Sequence, residues 1–372
     1  MRQVLRRETA IVALAASLSI GAADPAAGAP DPAGFEVPPG YRVSIFAEGL
    51  GKARLMQLTP EGDVLLTVPP EKVLRLRADR DGDGRSDGTE TLLDGLRRVH
   101  GILLDGSTLY LAEETRILSA AYDGAAGRIS AEPEVVLDGL PGGGGHWTRT
   151  IKKGPDGMLY VTAGSSCNVC EERQPFRAMM LRFLPGEAPE VVATGLRNTV
   201  GFDWQPGSGD LYGVDNGRDW LGDDFPPCEL NRITQGGFYG WPYFNGENRP
   251  DPDVGDRADA ASQTPLAPAH GFGAHTAPLS IRFLRHQKDA TLNGSALVAQ
   301  HGSWNRSTLA GYQVVRLTWL DEAKISEVPF MTGFRDGGRV LGRPVDVIEA
   351  PDGMILVSDD KAGVIWRVDP AE

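Results

Sequence analysis

Twelve residues, 79–90, carry the clearest chemical spacing in this chain. Asp79, Asp81, Asp83, Asp87 and Glu90 stand at positions 1, 3, 5, 9 and 12 of the segment, with Gly84 at position 6. Hard carboxylate oxygens at those intervals, around a glycine that permits a sharp turn, are the spacing of a calcium-binding EF-hand loop. The flanks read as strands rather than helices, and Ser86 takes position 8, where an apolar residue is usual. A second group is basic and amidic: His100, His146, Arg197, Asn198, His275, His301, Arg306, Arg343 and Lys361, with Asn216-Gly217-Arg218 and Asp223-Asp224 among them. Guanidinium and amide donors of this kind suit an anionic, oxygen-rich ligand. Cys167 and Cys170 form a Cys-x-x-Cys pair, but Glu171 stands where haem attachment needs histidine. One disulfide among Cys167, Cys170 and Cys228 is expected in an oxidising compartment, leaving one thiol over.

Groups so far apart in the chain need a fold that gathers them. The 372 residues are 41% hydrophobic and 23% charged, with 47 Gly, 27 Pro and 3 Cys. That composition excludes a disordered chain and a disulfide-stapled mini-protein. A net charge of −13 excludes a nucleic-acid binder, which needs a basic face. The one long apolar run, 10–23, follows Arg2, Arg6 and Arg7 and ends in small residues, so 1–23 reads as a signal peptide and the protein as periplasmic or secreted. No membrane span follows it. Residues 24–35 read as a linker and 36–372 as one domain.

A repeat organises that domain. Turns such as Asp105-Gly106-Ser107, Pro155-Asp156-Gly157, Asn293-Gly294-Ser295 and Pro351-Asp352-Gly353 recur six times in all, each followed by an apolar strand and then an alternating one. Fourth strands end alike, as in Leu137-Asp138-Gly139-Leu140 and Ala193-Thr194-Gly195-Leu196. The sixth repeat lacks one, while a spare copy, Phe46-Ala47-Glu48-Gly49-Leu50, precedes the first. The prediction is an all-β, six-bladed propeller of four-stranded antiparallel blades, closed by an N-terminal strand that completes the last blade. Repeat four hides its last strand in 236–278, which reads as a long surface excursion. This topology puts five of the six histidines, all but His286, and the basic and amide group on one face, around the mouth of the axis. The acidic segment falls on the opposite face.

With these residues in place, the chain resembles the soluble pyrroloquinoline quinone (PQQ) dependent sugar dehydrogenases, of the sorbosone and glucose dehydrogenase-like kind. The resemblance spans 36–370. It is carried by Gly195-Leu196-Arg197-Asn198, Asn216-Gly217-Arg218-Asp219, Glu229-Leu230-Asn231, Gly240-Trp241-Pro242, Gly302-Ser303-Trp304-Asn305-Arg306 and Arg343-Pro344-Val345-Asp346-Val347. It implies a six-bladed propeller that oxidises an aldose or sugar aldehyde by hydride transfer to PQQ, with an external cytochrome or quinone as electron acceptor. His146 matches the general base. Arg197, Asn198 and Arg343 match cofactor contacts, His100 stands at another, and Arg306 or Lys361 stands in for a lysine near the quinone. Backbone oxygens of Asn216, Gly217 and Arg218 are implied ligands of a Ca²⁺ that polarises the quinone, with Asp224 and Glu229 at a second ion. Two other readings compete: a propeller that only binds, and a calcium-dependent lactonase, whose axis would be acidic.

Overall fold

The computed structural model describes residues 30–370, apart from 262, 322 and 323. The expected signal peptide lies outside these residues. Six blades surround one axis. Their innermost strands are Met56–Leu58, Gly101–Asp105, Ile151–Lys153, Thr199–Trp204, Pro278–Phe283 and Pro344–Glu349. The second strands, such as Leu159–Ala163, Ala296–Gln300 and Ile355–Asp359, are buried along their whole length because a neighbouring blade covers each face. That is why they read as unbroken apolar runs, whereas strands farther out alternate. Close packing at the axis requires glycine: a Cβ on Gly201 would stand 2.4 Å from Ser280 Cα of the next blade.

The ring closes as the sequence predicts. Strand Tyr41–Ala47 pairs antiparallel with Val364–Pro370, Tyr41 opposite Pro370 and Ile45 opposite Trp366. The end of the expected linker packs on this blade, with Phe35 buried 4.6 Å from the Trp366 ring and 4.8 Å from that of Phe334. The acidic segment ties the seam from the other side. Asp79 pairs with Arg367 at 2.8 Å, and Ser86 N donates to Phe46 O at 2.8 Å.

Blade 4 departs from the expected picture. Its fourth strand is His270–Ala274, bonded to Pro227–Ile233, and the glycines in His-Gly-Phe-Gly-Ala hid it. Gly237–Phe238 adds to blade 3 instead, parallel to Glu190–Thr194. The stretch 236–278 therefore laces two blades together rather than looping free. His270 sits on that outer strand, bonded to Glu327 at 2.9 Å, and does not join the mouth of the axis.

Candidate active site

His146 lies in the loop that leads into blade 3. Its Nδ1 is 3.0 Å from Ser165 O and 2.9 Å from Ser165 Oγ, and that hydroxyl donates onward to Cys167 O at 2.7 Å. A carbonyl can only accept, so Nδ1 carries the proton and Nε2 keeps its lone pair. Nε2 has no partner among the described residues and borders a cleft of about 300 Å³. Burial, then the nearby Arg197, Arg177 and Arg149 charges, push His146 down to about 3, so the imidazole is neutral. The backbone of Gly164 makes room for it, since a Cβ there would stand 2.7 Å from both His146 Cβ and Asn198 Oδ1.

Arg197 borders the same cleft but turns inward. Nε donates to Asn168 O at 3.0 Å, Nη1 to Asn216 O and Gly217 O at 2.9 Å each, and Nη2 to Asn168 Oδ1 at 2.9 Å and Asp219 Oδ2 at 3.3 Å. The guanidinium thus frames the cleft instead of presenting free donors to a cofactor. Its grip also bears on calcium. A divalent cation on the Asn216 and Gly217 carbonyls would sit beside this guanidinium charge, so the pair does not fit the expected ion. Arg218 points elsewhere, forking onto Asp251 at 2.8 and 2.7 Å and onto Asp253 at 2.8 Å.

Of the three possible disulfides the structure forms Cys167–Cys170 and leaves Cys228 as a buried thiol. The bond encloses Asn168, whose amide also accepts from Asp219 N at 2.8 Å and donates to Asp219 O at 3.1 Å. Ser165 and Asn168 therefore hold His146 and Arg197, yet neither stands out in the sequence. Their one signal is the cysteine pair beside them. Replacing both cysteines by serine is expected to remove roughly 2 kcal/mol of stability, as suits so short a loop. It should loosen His146 as well. Urea denaturation reads the first effect, and the His146 imidazole resonances read the second.

Two side-chain oxygens in the cleft are buried and unpartnered, Asn198 Oδ1 and Asn305 Oδ1. Natural interiors rarely leave such atoms unmet, so a hydrogen-bond donor, of water or of a ligand, belongs against each. His275 completes the wall, its Nε2–H donating to Gly222 O at 2.8 Å.

A second cleft of about 500 Å³ opens beside Trp147. Arg343 reaches His301 O at 3.1 Å and Gly302 O at 2.7 Å through Nε and Nη2, with Nη1 unengaged. Lys361, Lys52 and Arg54 join it there. Asp360 is the one carboxylate, accepting from Arg54 at 2.8 Å and His301 Nε2 at 2.9 Å. Burial alone would raise Asp360, but His301 and Arg54 outweigh it and hold the group well below the carboxylate range. Burial pushes His301 down to about 4 despite that partner.

Several expected residues go elsewhere. His100 is wholly buried, with Nδ1 on Arg149 O at 3.2 Å and Nε2 on Arg54 at 3.3 Å, so it has no nitrogen left for a cofactor. Arg306 braces a loop, bonding Thr308 O at 2.9 Å, Asp223 O, and Asp224 at 3.2 Å. Asp224 is exposed and held by Arg306, apart from Glu229. Within the acidic segment, Asp79, Asp81 and Asp87 bring carboxylate oxygens within 4.8 Å of one another. Asp83 instead takes the Arg85 N–H at 2.7 Å, and Glu90 faces Arg75 at 3.1 Å. A strand rather than a helix follows the loop, and it turns position 12 away.

Glu229 is the better oxygen donor. It lies opposite Asp215 in register, and the two border a void of about 20 Å³, room for one ion or water. Burial and then the Asp215 charge push Glu229 up to about 8; burial lifts Asp215 to about 6. Because its folded pKa is raised, Glu229 does not weaken the fold below its ordinary value of 4.5, and weakens it increasingly as pH climbs toward 8. Glu229→Gln is expected to be about 3–5 kcal/mol more stable than the native chain at pH 9 without divalent ions, and equal to it near pH 4. Urea titrations at the two pH values check this.

The six-bladed propeller thus gathers a neutral histidine, two unmet amide oxygens and a cationic cleft at one mouth of its axis. Residues 178–367 match the glucose/sorbosone dehydrogenase family, and residues 35–225 match the TrAA12-like family. The chain belongs to the glucose/sorbosone dehydrogenase family. An uncharacterized protein of Borreliella burgdorferi is 36% identical over 60% of each chain, so the chain spans less than two thirds of that relative. A pyrroloquinoline quinone-dependent sugar dehydrogenase of Hypocrea jecorina is 25% identical over 71% of this chain and 72% of its own. The PQQ domain of pyranose dehydrogenase from Coprinopsis cinerea shares the fold, with a TM-score of 0.76 at 20% identity over 90% of this chain and 97% of that one.

Proposed function

We propose that this chain is an exported PQQ-dependent dehydrogenase that oxidises an aldose or sugar aldehyde, with His146 as general base. The observation that carries this is an unpartnered His146 Nε2 close to a strongly cationic cleft in a chain of net charge −13. Lys52, Arg54, Arg343 and Lys361 against Asp360 leave three positive charges in excess, which suits the three carboxylates of PQQ. The unmet amide oxygens of Asn198 and Asn305 accept, so they suit the hydroxyls of a sugar rather than the carboxylates of PQQ. When bound, the quinone supplies the hydride acceptor.

His146 Nε2 takes the proton from the anomeric hydroxyl, or from a hydroxyl of an aldehyde hydrate, as C1 surrenders its hydrogen with two electrons and its single bond to that oxygen becomes double. The positive charge that develops on the ring is shared with Ser165, which holds Nδ1–H throughout. Export agrees with the disulfide and with the order of basic, apolar and small residues in 1–23. No helix among the described residues is long and apolar enough to cross a membrane. An external cytochrome or quinone then removes the electrons. Glu229 and Asp215, which border the small void, are the oxygen donors that would hold a calcium ion.

Reconstituting the purified chain with PQQ, then following dye reduction over a panel of aldoses and aldehydes, tests the reading. Turnover that requires PQQ is the expected result. Failure to bind PQQ at micromolar concentration would sink it.

A further inference from the structure

All six innermost strands contribute to a second cavity of about 180 Å³, farther along the axis than the His146 cleft. Two buried hydroxyls and two half-buried cations in its wall are left without a full set of partners. Thr150 Oγ1 and Ser280 Oγ are buried with no hydrogen bond, and each residue is only 4% exposed. Lys152 Nζ makes no hydrogen bond or ion pair among the described residues, its nearest directed contact being the Phe202 ring at 5.9 Å. Arg282 spends only Nε, on Val347 O at 3.4 Å, and leaves both Nη groups open.

Asp203 and Asp346 share this wall and its field with Lys152 and Arg282, but among the described residues neither forms a direct ion pair with them. Asp346 is satisfied by backbone, accepting from Met56 N and Val347 N at 2.9 Å each. Asp203 accepts from Phe283 N at 2.9 Å and is shared with a third cation, Arg285, at 3.4 Å. Lys153, the other cation of this wall, is paired with Asp105 at 2.7 Å, which leaves Lys152 and Arg282 as its unpaired cations. The unmet groups are thus two cationic donors, for an anion, and two hydroxyls set among carboxylate acceptors, for a ligand that itself carries hydroxyls. The volume exceeds what one halide ion fills.

We propose that this axial cavity is a second ligand site, separate from the His146 cleft, that takes a small hydroxycarboxylate anion. Its carboxylate lies against Lys152 and Arg282, and its hydroxyls against Thr150, Ser280 and the free edges of Asp203 and Asp346. Nothing in this assignment requires PQQ, so it stands or falls apart from the proposed activity.

Calorimetric titration of the full, PQQ-free chain with sodium D-gluconate at constant ionic strength tests it, with sodium chloride and glycerol as separate arms. Saturable gluconate binding is expected, weakened about tenfold or more in Lys152→Met and in Arg282→Met and unchanged in His146→Ala and Arg343→Ala. Thermal unfolding shows which variants fold. If Lys152→Met does not, Thr150→Val and Ser280→Ala, which keep shape and remove one hydroxyl each, are expected to weaken binding several-fold. Absence of binding, chloride or glycerol binding as well as gluconate, or loss in His146→Ala instead of the channel variants would each overturn the proposal.

Discussion

His146→Ala is expected to lower kcat by about 10²- to 10⁴-fold while the affinity for PQQ changes little. The imidazole combines a fixed tautomer with an open lone pair; His275, the other histidine of the cleft, has its Nδ1 3.9 Å from the Asp219 carboxylate. Ser165 takes the Nδ1 proton through two acceptors, and nothing among the described residues reaches Nε2. Alanine removes that base, while the cationic cleft around Arg343 and Lys361 stays as it is. Dye-linked kinetics give kcat, and equilibrium titration with PQQ gives the affinity; equal losses in both would assign His146 to cofactor binding instead. The pH profile adds a second reading. Burial and three arginine charges hold His146 near 3 rather than its ordinary 6.5, so the base form persists through neutral and mildly acidic solution. The acid limb of kcat/KM should fall well below pH 6, and it should vanish in the alanine variant.

Arg197→Leu should be the most damaging single change to the site. It removes a buried guanidinium and strips partners from three backbone carbonyls, from the Asn168 amide and from Asp219, all of them half-buried. Breaking a buried charge network of this kind costs about 3–5 kcal/mol, read from the shift in urea midpoint of the PQQ-free chain. Arg197→Lys recovers only part of that loss, because an ammonium has three donors and cannot span the fork. If the leucine variant kept full stability and lost only PQQ affinity, the guanidinium would be a cofactor contact after all.

The repeat, the blade count and the closing strand were legible because they rest on local signals. Turn glycines, apolar second strands and the spare ending at Phe46-Ala47-Glu48-Gly49-Leu50 need no knowledge of distant contacts. His270–Ala274 escaped notice because two glycines erase the alternation that marks a strand. Site membership was legible by face but not by direction. His100 and Arg306 fall on the correct side of the disc, yet one is sealed between Arg54 and Arg149 and the other is consumed by its own loops. Whether a donor points at a ligand or at a carbonyl is settled by neighbours far away in sequence. Asn168 and Ser165 were invisible for the same reason.

The seam of the ring has a consequence for the order of assembly. Lys52 and Arg54 follow the strand that closes blade 6, while Arg343 and Lys361 come from blade 6 itself, so the cationic cleft spans the joint where the two ends of the described chain meet. Before Tyr41–Ala47 finds Val364–Pro370, those charges belong to separate ends of an open arc. The cleft is thus complete only once the ring is closed, and a trianion bound there would act as a clasp. Tension applied between residues 41 and 370 should meet more resistance once that clasp is fastened.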